Sequence, residues 1–280
     1  MVFGGPSTLY LSGERFEPRL ISLAPVRTPR MDSEFDLPAL TDRLVGDDLR
    51  DGDVLVVSSK FVAISEGRIV SLSSVLPRAE AREVAAKYGF SPQLCELILR
   101  ESDEIIGGVP GFVLAVKSGL LAPNAGIDKS NIEHGRVVLY PRSPHQSAEF
   151  LREALRFRRG TALGVVISDS RLMPMRRGTV GVALACSGLE GILDLRGKGD
   201  LFGNILRVTS QAIADDLSSA AQLLMGESDE RTPIILVRGV SETLLHGREY
   251  ESHDFAISSE ECVYMRSLGY RAKRRNRQFS

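Results

Sequence analysis

The sequence predicts an α+β or mixed α/β fold, because strand-like and helix-like segments are mixed without the strict alternation of a doubly wound sheet. Several apolar runs are rich in β-branched residues and are bounded by Gly, Pro, Asp or Ser, as strands are. Other segments repeat apolar residues at helical spacing. The nucleotide-binding signatures of P-loop and Rossmann folds are missing from the sequence, so neither fold is expected.

The predicted strands, in chain order, are 53–64, 112–118, 136–141, 162–169, 179–186 and 233–239. The predicted helices are 37–45, 78–89, 91–102, 147–160 and 209–226. Ser147 and Thr209 are expected as N-caps, because a side-chain oxygen there accepts from a free helical N–H. Gly160 and Gly226 follow the last helical residues, where a left-handed residue commonly ends a helix.

Four regions are predicted along the chain. They are an N-terminal extension (1–22), a first lobe (23–145), a second lobe (146–250) and a C-terminal helix with a basic tail (251–280). The lobes are divided near 141–146, where Pro, Ser and His interrupt the periodic pattern. The tail "RAKRRNRQFS" is expected to be a solvated segment.

The composition is that of a soluble globular protein, with 280 residues, 43% of them hydrophobic and 25% charged. A net charge of −1 predicts neither a nucleic-acid partner nor a membrane partner. No apolar run approaches the roughly 20 residues that span a bilayer, and "MVFGGPSTLY" lacks the layout of a signal peptide. The three cysteines form no CxxC pair, which suits a reducing compartment, so a cytoplasmic location is expected.

The polar stretch "NAGIDKSN" (124–131) lies between two apolar runs. It is typical of a hairpin turn, since Asn, Asp and Gly dominate turns. Alternatively it is a polar site in which Asp128 and Asn131 face a ligand. In that case Gly126 would let the backbone pass close to bound phosphates or ions.

Further acids follow apolar runs. "GVVISDS" (164–170) ends in Asp169 and Ser170, which are either metal ligands or turn residues, since Mg²⁺ takes hard oxygen ligands. Glu227 follows a predicted helix end, where a bound cation would offset its repulsion from the negative end of the helix dipole. Arg176 and Arg177 either contact phosphate or form a solvated charge pair. Together these residues suit metal-assisted phosphoryl chemistry.

The order of the motifs adds a family resemblance. "LAPVRTP", "GDVLVVSSKFV", "SEGRIV", "NAGIDKSN", "RRGTVGVA", "LRGKGDLFG" and "LLMGES" occur in sequence between about Leu23 and Gly239. The chain therefore resembles the coenzyme F-420:L-glutamate ligases, the γ-glutamyl ligases that act on a deazaflavin cofactor. The resemblance implies a two-lobed γ-glutamyl ligase-like fold and a homodimer. It also implies a GTP-dependent reaction that adds L-glutamate to the coenzyme F-420 precursor through an acyl phosphate.

The resemblance also implies a set of site residues. Asp128 and Asp169 would hold one divalent ion, Mg²⁺ or Mn²⁺, and Ser170 and Glu227 a second, with K⁺ as a further candidate cofactor. Arg176 and Arg177 would act with the two aspartates in catalysis. The residues implied to bind GTP are Leu23, Ala24, Pro25, Val26, Ser59, Lys60, Asn131, Gly226 and Ser228.

Some positions depart from the family pattern. Ile64 stands where a lysine is usual, and in a strand Lys60 would lie about 13 Å away, too far to replace that lysine. "SRLMP" (170–174) also differs from the usual Phe-Gly-Arg loop. These departures leave two alternatives open: a ligase of the same fold that acts on a different carboxylate, and a non-catalytic nucleotide- or cofactor-binding relative.

Overall fold

A computed structural model describes residues 20–245, 249–250 and 252–270. The strands are β1 (Ser22–Val26), β2 (Val54–Ser58), β3 (Ile69–Ser71), β4 (Glu104–Val109), β5 (Phe112–Lys117), β6 (Leu120–Pro123), β7 (Arg136–Val138), β8 (Gly164–Leu172), β9 (Thr179–Ser187), β10 (Leu193–Asp194), β11 (Ser210–Gln211), β12 (Ile234–Arg238) and β13 (Glu249–Tyr250). The helices are α1 (Leu37–Val45), α2 (Ser59–Ser65), α3 (Ala79–Tyr88), α4 (Pro92–Glu101), α5 (Pro144–Arg159), α6 (Ile213–Met225), α7 (Ser252–Phe255) and α8 (Val263–Ser267). Their mixture confirms the predicted α+β class.

A six-stranded sheet in the order β1-β12-β2-β8-β9-β13 forms the centre of the molecule. Strands β2 and β8 are parallel, and the other neighbours are antiparallel. Alternate residues of β2 face opposite sides, as strand geometry requires. Leu55 and Val57 pack with α1 and α5, whereas Val54 and Val56 pack with α6. The sheet is therefore covered by helices on both faces, with a buried core on each.

A smaller unit is formed by residues between β2 and β8. Strands β4, β5 and β6 make an antiparallel sheet, and β3 pairs with β7. Leu94 and Ile98 of α4 pack on Val113 and Ala115 of β5, and all four are buried. This second core holds the "NAGIDKSN" segment near the edge of the central sheet.

The structure corrects two predicted strands. The run 53–64 is wrong as a single strand, because β2 ends at Ser58 and α2 follows directly. The strand predicted over 162–169 continues to Leu172, so Asp169 and Ser170 lie inside β8 and not at its end. The strands predicted over 112–118, 179–186 and 233–239 are confirmed within one residue at each end.

The predicted C-caps are confirmed, and the predicted N-caps are wrong. Gly160 and Gly226 cap α5 and α6. Helix α5 begins earlier, at Pro144, and the Ser147 hydroxyl donates to Glu66 Oε1 at 2.7 Å. Thr209 precedes β11, which pairs with β10, so α6 starts only at Ile213.

Parts of the domain prediction lie outside the described residues. These are residues 1–19 of the extension, 246–248 of the second lobe, and 251 and 271–280 of the C-terminal region. The lobe boundary stays a prediction, although residues 144–146 belong to α5. In the described ranges, no helix combines the length and the apolar character needed to cross a bilayer.

Glu96 of α4 provides a test of the smaller unit. Its carboxylate is fully buried and accepts from the backbone N–H and Nε of Arg78 and from Nε of Arg100, at 2.8–2.9 Å. The Arg78 N–H and both guanidiniums outweigh burial and lower the pKa of Glu96.

We expect Glu96→Gln to lose about 2 kcal/mol of unfolding free energy at pH 7, because hydrogen bonds to a charged group are lost. A lowered folded-state pKa stabilises the fold above the unfolded value of 4.5. That stability is lost as the pH falls through the folded-state pKa, so the difference between variant and parent should shrink in acid. Urea unfolding at several pH values measures this. Glu80→Gln, at an exposed position of α3, is the control, and a gap that persists below the folded-state pKa would contradict the prediction.

Candidate functional site

A cavity of about 770 Å³ lies at the edge of the central sheet where β1, β2 and β8 end and β9 and β12 begin. Four further segments line it: 27–31, the start of α2, 123–132 and the loop 225–233 after α6. Three strands end and two strands begin at this edge of the sheet. Residues that are distant in sequence therefore meet there.

Asp169 is held between α2 and β8. In the parallel pairing of β2 with β8, Ser58 lies opposite Ser168. The residues that follow them, Ser59 and Asp169, are therefore neighbours. The Ser59 hydroxyl donates to Asp169 Oδ1 at 2.8 Å. Arg171 Nε lies 2.7 Å from Oδ2. Both carboxylate oxygens are thus engaged.

Asp128 forms an ion pair with Lys60 of α2. Lys60 Nζ lies 2.6 Å from Asp128 Oδ2 and donates to the Ser130 hydroxyl at 2.6 Å. The Ser130 N–H donates to Asp128 Oδ1 at 2.7 Å. Burial raises the pKa of Asp128, but the Lys60 ammonium and these hydrogen bonds outweigh it and hold that pKa below its usual range. Asp128 is therefore a carboxylate at neutral pH.

The backbone before Asp128 is left-handed at three consecutive residues. Asn124, Ala125 and Gly126 have φ values of 52°, 55° and 73°. A Cβ at Gly126 would overlap the ring of Tyr140, so close packing on that ring requires a glycine. Gly126 also lines the cavity, and its approach to phosphates or ions stays a prediction. The hairpin interpretation of this segment is wrong, because β6 pairs with β5 and β7 pairs with β3.

Glu227 is fixed by three donors. The Thr179 hydroxyl and the Gln222 amide each donate to Oε1 at 2.6 Å, and the Ser170 hydroxyl donates to Oε2 at 3.2 Å. Gly226 ends α6 with φ 70° and ψ −177°, a conformation that is essentially restricted to glycine. The chain turns there and directs Glu227 towards β8.

Most of the predicted site residues meet in the cavity. Those that line it are Lys60, Asp128, Asn131, Asp169, Ser170, Gly226, Glu227 and Ser228. The Asn131 amide donates to the Ser228 carbonyl oxygen at 2.5 Å, which links two of the segments implied to bind nucleotide. Ser59 is buried behind the cavity wall and reaches Asp169 instead.

Other predicted residues lie elsewhere. Leu23, Ala24, Pro25 and Val26 form β1 and pair with β12, and the cavity is lined by the residues that follow them, 27–31. Arg176 and Arg177 lie exposed in the turn between β8 and β9, outside the lining residues.

Sequence reasoning missed four site residues: Ser130, Arg171, Thr179 and Gln222. Thr179 reaches Glu227 from a strand 48 residues away. The other three lie within five residues of the acid that they contact. Arg171 had a local signal, since residues two apart on a strand lie on one face. The predicted strand ends at Asp169, so it does not include Arg171, whereas β8 continues to Leu172.

The donor chemistry fits a divalent ion bound together with phosphate. Asp128, Asp169, Ser170 and Glu227 offer carboxylate and hydroxyl oxygens in one cavity. Within the described part of the chain, no three His, Cys, Asp or Glu side chains cluster as a metal cage. Mg²⁺ does not need such a cage, because one or two carboxylates and substrate phosphates usually hold it.

Lys60 and Ile64 are closer together than the sequence analysis predicts. The expected 13 Å assumed a strand, but both residues lie on α2. Residues four apart on a helix are about 5–6 Å apart between Cβ atoms. Lys60 and Ile64 line the same cavity. Lys60 therefore supplies a cation close to position 64, where the family pattern has a lysine.

Comparison with known proteins gives a consistent result. The sequence model of the F420-0:Gamma-glutamyl ligase family matches residues 25–239. Coenzyme F420:L-glutamate ligase from Methanothermobacter thermautotrophicus is 42% identical over 195 residues, covering 69% of this chain and 77% of the relative. The Methanopyrus kandleri protein of the same name is 40% identical, covering 70% and 79%. The one from Archaeoglobus fulgidus is 39% identical, covering 78% and 86%.

The ion pair between Lys60 and Asp128 makes a prediction about metal binding. We expect Lys60→Met to bind Mn²⁺ about two- to fivefold more tightly than the parent in the absence of nucleotide, because a partly exposed ion pair is worth up to about 1 kcal/mol. Lys60→Arg retains a cation and is the matched control. Electron paramagnetic resonance of free Mn²⁺ measures the affinity, and weaker binding by Lys60→Met would contradict competition at Asp128.

Proposed function

The chain belongs to the F420-0:Gamma-glutamyl ligase family, and from that premise we propose that it adds L-glutamate to a coenzyme F-420 precursor with consumption of GTP. The observation that carries the proposal is the cavity in which Lys60, Asp128, Asp169, Ser170 and Glu227 meet. A site for phosphoryl transfer needs this combination of cation, carboxylates and hydroxyl.

The proposed reaction has two steps. An oxygen of the acceptor carboxylate attacks the γ-phosphorus of GTP, a new P–O bond forms, and the bond to the β-phosphate oxygen breaks to release GDP. The glutamate nitrogen then attacks the carbon of the acyl phosphate, a C–N bond forms, and phosphate leaves while the nitrogen loses a proton. Activation is required because a free carboxylate has no adequate leaving group.

The chain's own residues would bind and orient these groups. Lys60 provides the ammonium nearest to Asp128, and it would contact phosphate once a ligand has displaced it. Asn131 and Ser228 hold two lining segments together, which would fix the nucleotide pocket. Thr179 and Gln222 orient Glu227. These contacts favour a preorganised site, and positioning supplies much of the rate in phosphoryl transfer.

The same proposal includes two divalent ions, Mg²⁺ or Mn²⁺. Asp128 with Asp169, and Ser170 with Glu227, would hold them. When bound, the ions would neutralise phosphate charge and polarise the transferred phosphoryl group.

A ligase of the same fold that acts on a different carboxylate is the second candidate. Ile64 favours it, because this side chain is 4% exposed and packs with Ala63 and Val138. Position 64 therefore presents an apolar side chain, where the family pattern has a lysine.

Phosphate release separates the two candidates. The protein is incubated with GTP, Mn²⁺ or Mg²⁺, glutamate and the unglutamylated cofactor, and each substrate is omitted in turn. Release that requires both glutamate and the cofactor supports the first function. Release with another carboxylate acceptor, and none with the cofactor, supports the second.

Asp169→Asn should lower kcat/KM by about 1,000-fold, since a metal acting as a Lewis acid supplies several kcal/mol of transition-state stabilisation. The variant retains the shape of the side chain and its contact with Ser59. Asp47→Asn, which removes a surface acid that pairs with Arg159, is the control and should retain full activity. Unchanged turnover in Asp169→Asn would overturn the role of Asp169.

We also propose that the protein is a homodimer. The arm between β10 and β11 exposes Leu201 (101%) and Phe202 (91%), together with Ile205 and Val208. Asp200 fixes the tip of this arm by accepting from the N–H groups of Phe202 and Asn204 at 2.8 Å. Large exposed apolar groups on an ordered turn are typical of protein interfaces.

Phe202→Glu should therefore shift the protein towards the monomer, because a carboxylate would be buried in the contact. Light scattering after size-exclusion chromatography measures the mass. Leu76→Glu, at an exposed apolar residue near α3, is the control. A dimer that persists in Phe202→Glu at micromolar concentration would exclude this arm as the interface.

A further inference from the structure

Arg171 is a buried cation next to the candidate metal site. It lies on β8 two residues after Asp169, on the same face of the strand, and it is 6% exposed. Burial of a charge is costly unless the group is paired and hydrogen-bonded. The contacts of Arg171 therefore indicate why a cation is retained there.

Three contacts fix the guanidinium. Nε lies 2.7 Å from Asp169 Oδ2, and Nη1 donates to the carbonyl oxygen of Leu121 at 2.7 Å. The group also lies over the ring of Tyr140, 5.8 Å from its centroid, within the range of a cation–π contact. Leu121 belongs to β6, so Arg171 connects the smaller sheet to the carboxylate of Asp169.

This arrangement leaves part of the guanidinium without a hydrogen-bond partner in the described part of the chain. Among the described residues, Arg171 Nε and Nη2 are both buried without a hydrogen-bond partner, so the contact of Nε with Asp169 is an ion pair and not an aligned hydrogen bond. Apolar residues of similar volume often stabilise a fold as well as a buried ion pair does. An incompletely satisfied pair in a cavity wall is more readily explained by a role at the site.

The Asp169 carboxylate can still accept a ligand while it contacts Ser59 and Arg171. Asp169 Oδ1 accepts from Ser59 and Oδ2 pairs with Arg171, yet each carboxylate oxygen has two lone pairs. Opposite contacts from α2 and β8 therefore fix the plane of the carboxylate without using its full acceptor capacity. A carboxylate in a fixed orientation loses less entropy when it binds an ion.

Lys60 is more exposed than Arg171. Its side chain is 24% exposed, against 7% for Arg171, and it contacts Asp128 and Ser130 through a single ammonium. Lys60 can move into the cavity and remain solvated. Arg171 is itself buried and donates to the Leu121 carbonyl oxygen, so it stays with Asp169 when a ligand binds.

We propose that Arg171 is a positioning residue, which orients the Asp169 carboxylate for a divalent cation by anchoring it to β6 of the smaller sheet. This inference rests on the proposed function, in which Asp169 is a metal ligand. It assigns Arg171 no contact with substrate.

Direct Mn²⁺ binding to the nucleotide-free protein tests the assignment. Removal of an outer partner of a metal ligand typically weakens metal affinity 10- to 100-fold. We expect Arg171→Met to bind Mn²⁺ at least about tenfold more weakly than the parent by electron paramagnetic resonance. Arg171→Lys should recover part of that loss, because its ammonium can reach Asp169 but cannot hold Leu121 at the same time.

Arg152→Met is the matched control. Arg152 is also largely buried, and it pairs with Ser187 and Glu153 away from the cavity. It should lose stability but retain the Mn²⁺ affinity of the parent within about twofold. Thermal melting identifies the folded variants, and Arg171→Lys keeps the test decisive if Arg171→Met does not fold.

The outcomes are distinguishable. Mn²⁺ binding by a folded Arg171→Met or Arg171→Lys that is as tight as in the parent, or tighter, would overturn the positioning role. Tighter binding would mean that Arg171 competes with the ion. A parent protein that binds no Mn²⁺ would overturn the metal part of the proposed function, and this assignment with it.

Discussion

The parallel pairing of β2 with β8 is the constraint on which the site depends. Its register places Ser58 opposite Ser168, so α2 begins beside Asp169. A shift of one residue would turn Asp169 to the other face of the sheet, because side chains alternate along a strand. Alternate side chains of β2 are buried in the cores on opposite faces of the sheet, and this packing prevents that shift. Packing of the two cores therefore fixes the position of the catalytic candidates.

Charge pairing makes the cavity compatible with a stable fold. Asp128, Asp169 and Glu227 would repel one another at neutral pH if they faced the cavity without partners. Lys60 pairs with the first and Arg171 with the second, while hydroxyl and amide donors hold the third. The acids of the cavity are thus neutralised in part, and under the proposed function a ligand would exchange with Lys60 to reach Asp128.

The sequence predicts those parts of this architecture that depend on local physics. Buried strands such as β12, and the glycine caps of α5 and α6, follow from β-branched runs and left-handed glycines. The boundary between β2 and α2 could not be predicted, because "VLVVSSKFVAI" remains apolar and β-branched across it. The contacts of Glu227 with Thr179, and of Arg171 with Leu121, join segments about 50 residues apart. Only the tertiary fold specifies them.

The helical form of residues 59–65 changes the meaning of Ile64. In a strand, the absence of a lysine there would leave that wall of the cavity without a cation on the same segment. On α2, Lys60 lies one turn away and lines the same cavity. Arg27, Arg30 and Arg231 also line it, are exposed, and have no ion pair within the described ranges. The cavity therefore combines these exposed cations with the acids of the candidate site. Under the proposed function this combination suits a ligand whose phosphates enter together with divalent cations.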